Sequence, residues 1–198
     1  PLQANIAQEV KESMGKHERR LLWAVTGAGK TEMIFPTIEQ AIINHERVCI
    51  ASPRVDVCLE LFPRLQKAFA KVEMVLLHGQ QSEPYRYCQL TVCTTHQLLR
   101  FYHAFDLLIV DEVDSFPYAA NQQLLFATEQ ARKPAGGLLM MTATPGSLLL
   151  KQIKRKQLAV SYLPLRYHGH LLPEIKCQRL NWQWRERLGK QGLPLGLQ

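Results

Sequence analysis

An α/β fold, a mostly parallel sheet with helices on both faces, is predicted by three features of this sequence. Apolar runs with strand-like composition alternate with stretches whose apolar residues recur at helical spacing, the pattern of successive strand–helix–strand units. One run, ending at Trp23-Ala24-Val25, opens into a glycine-rich loop, Thr26-Gly27-Ala28-Gly29-Lys30-Thr31. Another, Leu107-Leu108-Ile109-Val110, leads into Asp111-Glu112-Val113-Asp114, and Thr142-Ala143-Thr144-Pro145 follows downstream.

The elements can be justified in order. Residues 21–25 read as a buried strand, and residues 31–43 as a helix with Met33, Ile34, Ile38, Ala41 and Ile42 on its apolar face. Strand 47–51, helix 54–70, strand 72–77 and strand 90–94 follow, then the strand that carries the acidic residues. Residues 118–131 read as a helix, 137–141 as a buried strand, and 146–156 as a helix with a basic last turn. Right-handed crossovers would connect the strands. Near Leu158 the character changes, and Pro164, Gly169, Pro173, Gly189, Gly192 and Pro194 punctuate the rest. The expected organisation is a nucleotide-binding domain over residues 1–157 and a basic linker over 158–198, with one short helix at 182–188.

Composition narrows the class. The 198 residues, 46% hydrophobic and 21% charged, suffice for one well-cored domain plus an appendage. No apolar run approaches a membrane span and no signal peptide opens the chain, so a cytoplasmic protein is expected. Cys49, Cys58, Cys88, Cys93 and Cys177 lack paired CxxC spacing, which argues against a disulfide framework or a zinc site and for buried thiols. His168 and His170 lack a partner at ligand spacing.

The net charge of +7 is unevenly placed. Residues 1–150 hold 14 Lys or Arg against 15 Asp or Glu, a net −1, whereas residues 151–198 hold 10 against 2, a net +8. Interleaved with Tyr162, Tyr167, Trp182 and Trp184, the basic tail suits a nucleic-acid backbone. A solubilising linker, or a surface that packs on a second domain, would have the same composition.

The motifs point to triphosphate chemistry. The loop supplies Lys30, the Thr31 hydroxyl and the backbone amides of Thr26, Gly27, Ala28 and Gly29, with a helix N-terminus behind them that favours anionic phosphate. Ala24 stands where the full phosphate-loop pattern has glycine, and a glycine-rich turn capping a helix would look alike. Asp111, at the C-terminal end of a buried strand, is placed to hold magnesium together with Thr31, and Glu112 to orient and polarise an attacking water. Three crowded carboxylates at 111–114 would repel one another, and a divalent cation would relieve them. Lys30, Asp111 and Glu112 are thus the candidate catalytic residues for ATP hydrolysis with Mg2+.

These motifs, in this order, resemble those of superfamily-two DEAD/DEAH-type helicases and translocases. The stretch Thr94-Thr95-His96-Gln97-Leu98-Leu99-Arg100-Phe101-Tyr102, then Ala104-Phe105-Asp106, then Asp111 to Tyr118, resembles more narrowly the ComFA family of late competence proteins. Residues 23–32 and 163–169 are similar to that family too, and the middle block separates it from the PriA primosomal helicases. The resemblance implies a RecA-like P-loop NTPase domain, the first of two.

Further roles follow from the resemblance alone. Gln3 would read the adenine edge, or is a surface glutamine. Pro53 and Arg54 would contact DNA phosphates, as would Thr94, Thr95 and His96, where a helix cap is the simpler role. Asp114, Thr142 and Thr144 would link nucleotide state to domain movement, or the threonines would cap the following helix. His78-Gly79 and Tyr85-Arg86-Tyr87 read as structural. The family's zinc module and its second RecA-like domain, which carries an arginine finger, are not recognised here; the chain reads as a first motor domain beginning after that module. The implied activity is ATP-driven translocation of single-stranded DNA during natural competence, at the inner face of the cell membrane without being integral to it. Partners would be the membrane DNA channel and late competence proteins. A PriA-like duplex-unwinding helicase and a nucleotide-gated scaffold remain alternatives.

Overall fold

A computed structural model describes residues 2–79 and 85–164. Seven strands form one sheet: β1 (Arg19–Ala24), β2 (Val48–Ser52), β3 (Met74–Leu77), β4 (Leu90–Thr94), β5 (Phe105–Val110), β6 (Arg132–Thr142) and β7 (Ala159–Leu163). Their order is β3-β4-β2-β5-β6-β1-β7, and each neighbouring pair is parallel. The helices are α1 (Leu2–Gly15), α2 (Lys30–Ile43), α3 (Val55–Ala68), α4 (Gln122–Ala131) and α5 (Ser147–Lys154), with short 3-10 helices at Thr95–Arg100 and Tyr118–Ala120. The α/β architecture expected from the sequence is present.

One row of register partners crosses the sheet: Leu77, Cys93, Ala51, Val110, Met140, Leu21 and Val160. Since side chains alternate along strands, that row lies on one face. It packs against the first 3-10 helix, α4 and α5 through Leu98, Phe101, Leu124, Ala127, Leu149 and Ile153. The rows on either side of it, one with Val92, Ile50 and Ile109 and the other with Met141 and Leu22, face the opposite way and meet α1, α2 and α3 through Val10, Met14, Ile34, Ile38, Leu61 and Leu65. Strands β2, β4 and β5 are buried on both faces, which explains why they read as continuous apolar runs rather than alternating ones. Fully burying one such leucine or isoleucine contributes about 1.5–3 kcal/mol, so these two layers dominate the stability.

Two elements of the fold were not expected from the sequence. Helix α1 precedes the first expected strand. Strand β7 carries the sheet past the boundary expected at residue 157, into what was read as linker. Arg20 of β1 helps hold both, donating from Nη1 to Glu9 Oε1 of α1 at 2.6 Å and to Ser161 Oγ of β7 at 2.9 Å. The helix expected over 118–131 is split because the Asn121 side chain accepts from the amides of Gln123 and Leu124 and starts α4 afresh. Tyr85 and Tyr87 enclose the Arg47 guanidinium, which hydrogen-bonds Tyr85 and lies 4.4 Å from the Tyr87 ring centre. Cys49, Cys58, Cys88 and Cys93 are buried free thiols. The expected helix at 182–188, His168, His170, Cys177 and most of the basic tail lie outside the described residues.

The β5–β6 ladder contains a bulge, where Phe105 pairs with Arg132 but Leu107 with Gly137. Gly136 lies in it, and a Cβ there would come within 2.8 Å of the Asp106 carbonyl and 2.9 Å of the Phe105 carbonyl. Backbone cannot yield as a flexible side chain would. Gly136→Ala should therefore destabilise the fold by about 1–3 kcal/mol in urea unfolding; an unchanged midpoint would refute this account of the bulge.

Candidate nucleotide site

Because all seven strands run the same way, the segments that follow them gather at one edge. The phosphate loop leaves β1, Pro53 and Arg54 leave β2, Asp111 and Glu112 leave β5, and Thr142 ends β6. Open α/β sheets bind their ligands at this edge.

The loop has the backbone that phosphate binding requires. Gly27 and Gly29 adopt left-handed φ values of 76° and 74°, which other residues adopt at a cost. Gly29 ends the loop and α2 starts at Lys30, so the amides of its first turn have no carbonyl within the helix to receive them. Lys30 and Thr31 are half-buried, and Thr26 and Gly27 are exposed. Gln3, on the first turn of α1, donates from Nε2 to the Ala28 carbonyl at 3.3 Å. The structure thus sets Gln3 against the loop.

The three carboxylates take different partners, although Glu112 and Asp114 still repel Asp111. Asp114 accepts hydrogen bonds from the Thr142 and Thr144 hydroxyls, and the Thr144 amide donates to Thr142 Oγ1 at 3.0 Å. Glu112, at a left-handed φ of 51°, accepts from Ser115 Oγ at 3.2 Å and lies 3.8 Å from Arg54 Nη1. Asp111 accepts from the Glu112 amide at 2.9 Å, while its own amide donates to the Ala51 carbonyl at 2.8 Å. Burial pushes the Asp111 carboxyl above its usual range, the neighbouring Glu112 and Asp114 adding to this and Lys30 opposing it.

That imbalance fits a divalent cation. Among the described residues no group of three or more His, Cys, Asp or Glu could hold a metal unaided. Magnesium needs no such group, since one carboxylate, a hydroxyl, phosphate oxygens and waters complete its shell. Asp111 and Thr31 are suited to that part.

The remaining expected contacts are unevenly exposed. Pro53 is half-buried and Arg54 exposed, its guanidinium also bonded to Asp56. Thr94 and Thr95 are buried, and Thr95 Oγ1 has no hydrogen-bond partner; His96 is exposed. His96 is therefore the member of that trio that presents a side chain to solvent. Thr94 starts the 3-10 helix without a side-chain cap, and Thr144 precedes α5 without capping it.

Two contacts escaped the sequence reading. Trp23 Nε1 donates to the Ala143 carbonyl at 3.1 Å, and its ring lies 4.7 Å from that of Tyr162, joining β1 to the threonine segment and to β7. The Arg54–Glu112 pair links residues 58 positions apart, a separation at which sequence spacing carries no signal. Ser115 had a signal of sorts, lying three residues after Glu112 in the same turn.

Comparison with known proteins adds kinship. The sequence matches the ResIII family, described as type III restriction enzyme, res subunit, over residues 1–147. It is 44% identical over 194 residues to competence protein ComFA of Bacillus subtilis, covering 97% of this chain and 41% of the relative. To ComFA of Streptococcus pneumoniae it is 47% identical over 172 residues, covering 87% of this chain and 39% of that one. The chain thus spans about two-fifths of these relatives. Among solved structures, the SWI2/SNF2 ATPase core of Sulfolobus solfataricus superposes with a TM-score of 0.62 at 16% identity, covering 73% of this chain and 32% of the other, which bears on the fold alone.

The Asp111 environment makes a pH-dependent prediction. A carboxyl raised in the folded state favours folding below its unfolded pKa, and that contribution is lost as pH rises through the folded pKa. At neutral pH the ionised side chain is a net burden. Asp111→Asn should raise the melting temperature at pH 7, and the gain should shrink on acidification below the folded pKa. A variant less stable at pH 7 would mean that attraction to Lys30 outweighs burial.

Proposed function

The chain belongs to the ResIII family, and from that premise, with its likeness to ComFA, we propose that it is the ATP-binding motor domain of a translocase that draws single-stranded transforming DNA inward during competence. One observation carries the reading: a phosphate loop with Lys30, an Asp111-Glu112 pair and an Asp114–Thr142–Thr144 hydrogen-bonded lock share one sheet edge.

Each residue has a part. Gln3, bonded to the Ala28 carbonyl of the loop, reads the adenine, and the loop amides with Lys30 grip the phosphates. Thr31 and Asp111 would hold a magnesium ion, which supplies neutralising charge to the phosphates. Glu112 orients the attacking water and accepts its proton at the carboxylate. Asp114 ties the acidic turn to Thr142 and Thr144, so a shift on hydrolysis passes into the segment leading to α5. That helix fully buries none of its side chains and is free to follow.

DNA is gripped through its phosphates by Arg54 and by the exposed His96, with Pro53 shaping the loop that carries the arginine and the buried Thr94 and Thr95 setting the turn that carries the histidine, so binding tolerates any sequence. A second RecA-like domain closes over the nucleotide and lends an arginine, and alternate closure moves the strand. The protein works in the cytoplasm at the inner membrane face, beside the DNA channel and other late competence proteins. Among the described residues no helix is long and apolar enough to cross a membrane.

The test is ATP hydrolysis by the intact protein with and without single-stranded DNA. Stimulation by DNA is expected, with a loss of about 10²–10⁴-fold in Glu112→Gln despite retained ATP binding, and loss of binding itself in Lys30→Ala. The 198-residue chain alone should bind ATP with magnesium yet turn over slowly, since an arginine finger contributes about 10³–10⁵. ATPase indifferent to DNA would point to a nucleotide-gated scaffold instead.

A further inference from the structure

The loop after β2 and the acidic turn after β5 leave the sheet side by side. Ala51 pairs with Val110, and the Asp111 amide donates to the Ala51 carbonyl. Across this junction Arg54 Nη1 lies 3.8 Å from Glu112 Oε2, the same oxygen that accepts from Ser115 Oγ at 3.2 Å. The other side of the guanidinium is engaged by Asp56, with Nε donating to Oδ1 at 3.1 Å and Nη2 to Oδ2.

We propose that Arg54 restrains Glu112 until a nucleic-acid phosphate takes the arginine away. The inference rests on the function proposed above, in which Glu112 handles the attacking water and Arg54 meets the DNA backbone. A carboxylate that faces a guanidinium on one side and accepts from a hydroxyl on the other is held in place by both. Its left-handed backbone helps to fix that direction, since a glutamate seldom adopts φ near 51° unless its surroundings impose it.

Exchange is feasible because the pair is open to solvent. The Arg54 side chain is 52% exposed and that of Glu112 30%. Exposed ion pairs are weak, whereas a phosphate offers a guanidinium two parallel charge-assisted hydrogen bonds. DNA would therefore draw Arg54 off both carboxylates and leave Glu112 to Ser115 and the water. Arg54 is in this sense a positioning residue, reporting DNA occupancy to the hydrolytic carboxylate.

Linkage makes the idea testable without hydrolysis. If DNA binding frees Glu112, removing the Glu112 charge must free Arg54 for DNA by the same factor. We would measure binding of a fluorescent oligothymidylate by the nucleotide-free intact protein, at fixed salt, for wild type, Glu112→Gln, Arg54→Ala and the double variant. Glu112→Gln should tighten binding about two- to fivefold, the reach of an exposed pair, and should do nothing in the Arg54→Ala background. In parallel, Arg54→Ala should raise DNA-free ATP hydrolysis while weakening DNA binding, and Arg54→Lys, which keeps the charge, should restore part of the restraint.

Equal tightening in both backgrounds would trace to a general loss of negative charge and would overturn the proposal. An Arg54→Ala protein with weaker DNA binding but unaltered DNA-free hydrolysis would make Arg54 a phosphate contact only, leaving the translocase reading intact. Failure of every form to bind the oligonucleotide would overturn that reading and this inference with it.

Discussion

Parallel strand pairing is the constraint on which everything else depends. With every ladder parallel, each connection must return to the same starting edge, and all the strand C-termini face the other way. Residues far apart in the chain, the phosphate loop at 26–31, Arg54, Asp111, Glu112 and Thr142, are thereby delivered to one line. The register row from Leu77 to Val160 fixes their relative heights, and slipping one ladder by a residue would turn apolar side chains away from the helices that cover them. Core packing and site geometry are in this sense one requirement.

Within that line the charges are partitioned rather than pooled. Asp114 is committed to two hydroxyls, Glu112 to a hydroxyl and a guanidinium, and Asp111 is left under the influence of Lys30. The helix that follows the threonine segment is lightly held, since α5 fully buries none of its side chains and rests on the core through partly buried Leu149 and Ile153. The phosphate loop and that lightly held helix follow adjacent strands, β1 and β6.

Much of this was legible in the sequence, and the reasons differ by element. Leu107 to Val110 announced a central strand because both of its faces are apolar, and the loop announced itself because only glycine adopts its backbone readily. Strand β7 was hidden: its burial alternates weakly, with Ala159 and Tyr162 exposed, and Pro164 follows at once. Helix α1 shows the core little more than Ile6, Val10 and Met14, too sparse a stripe to stand out. The adjacency of the carboxylates in sequence revealed their mutual repulsion but not their separate partners, Ser115 and Arg54 for Glu112 and the Thr142 and Thr144 hydroxyls for Asp114. The Arg54–Glu112 contact depends on strand order, which spacing does not encode.

Trp23 touches three of these parts at once, with its indole N–H on the Ala143 carbonyl and its ring beside Tyr162, one residue before β1 ends and the loop follows. Any displacement of the threonine segment relative to β1 must stretch that hydrogen bond or change the 53° angle between the rings. The polarity around an indole governs the colour and yield of its emission. The fold consequently carries its own optical gauge of that displacement, readable without attaching a dye.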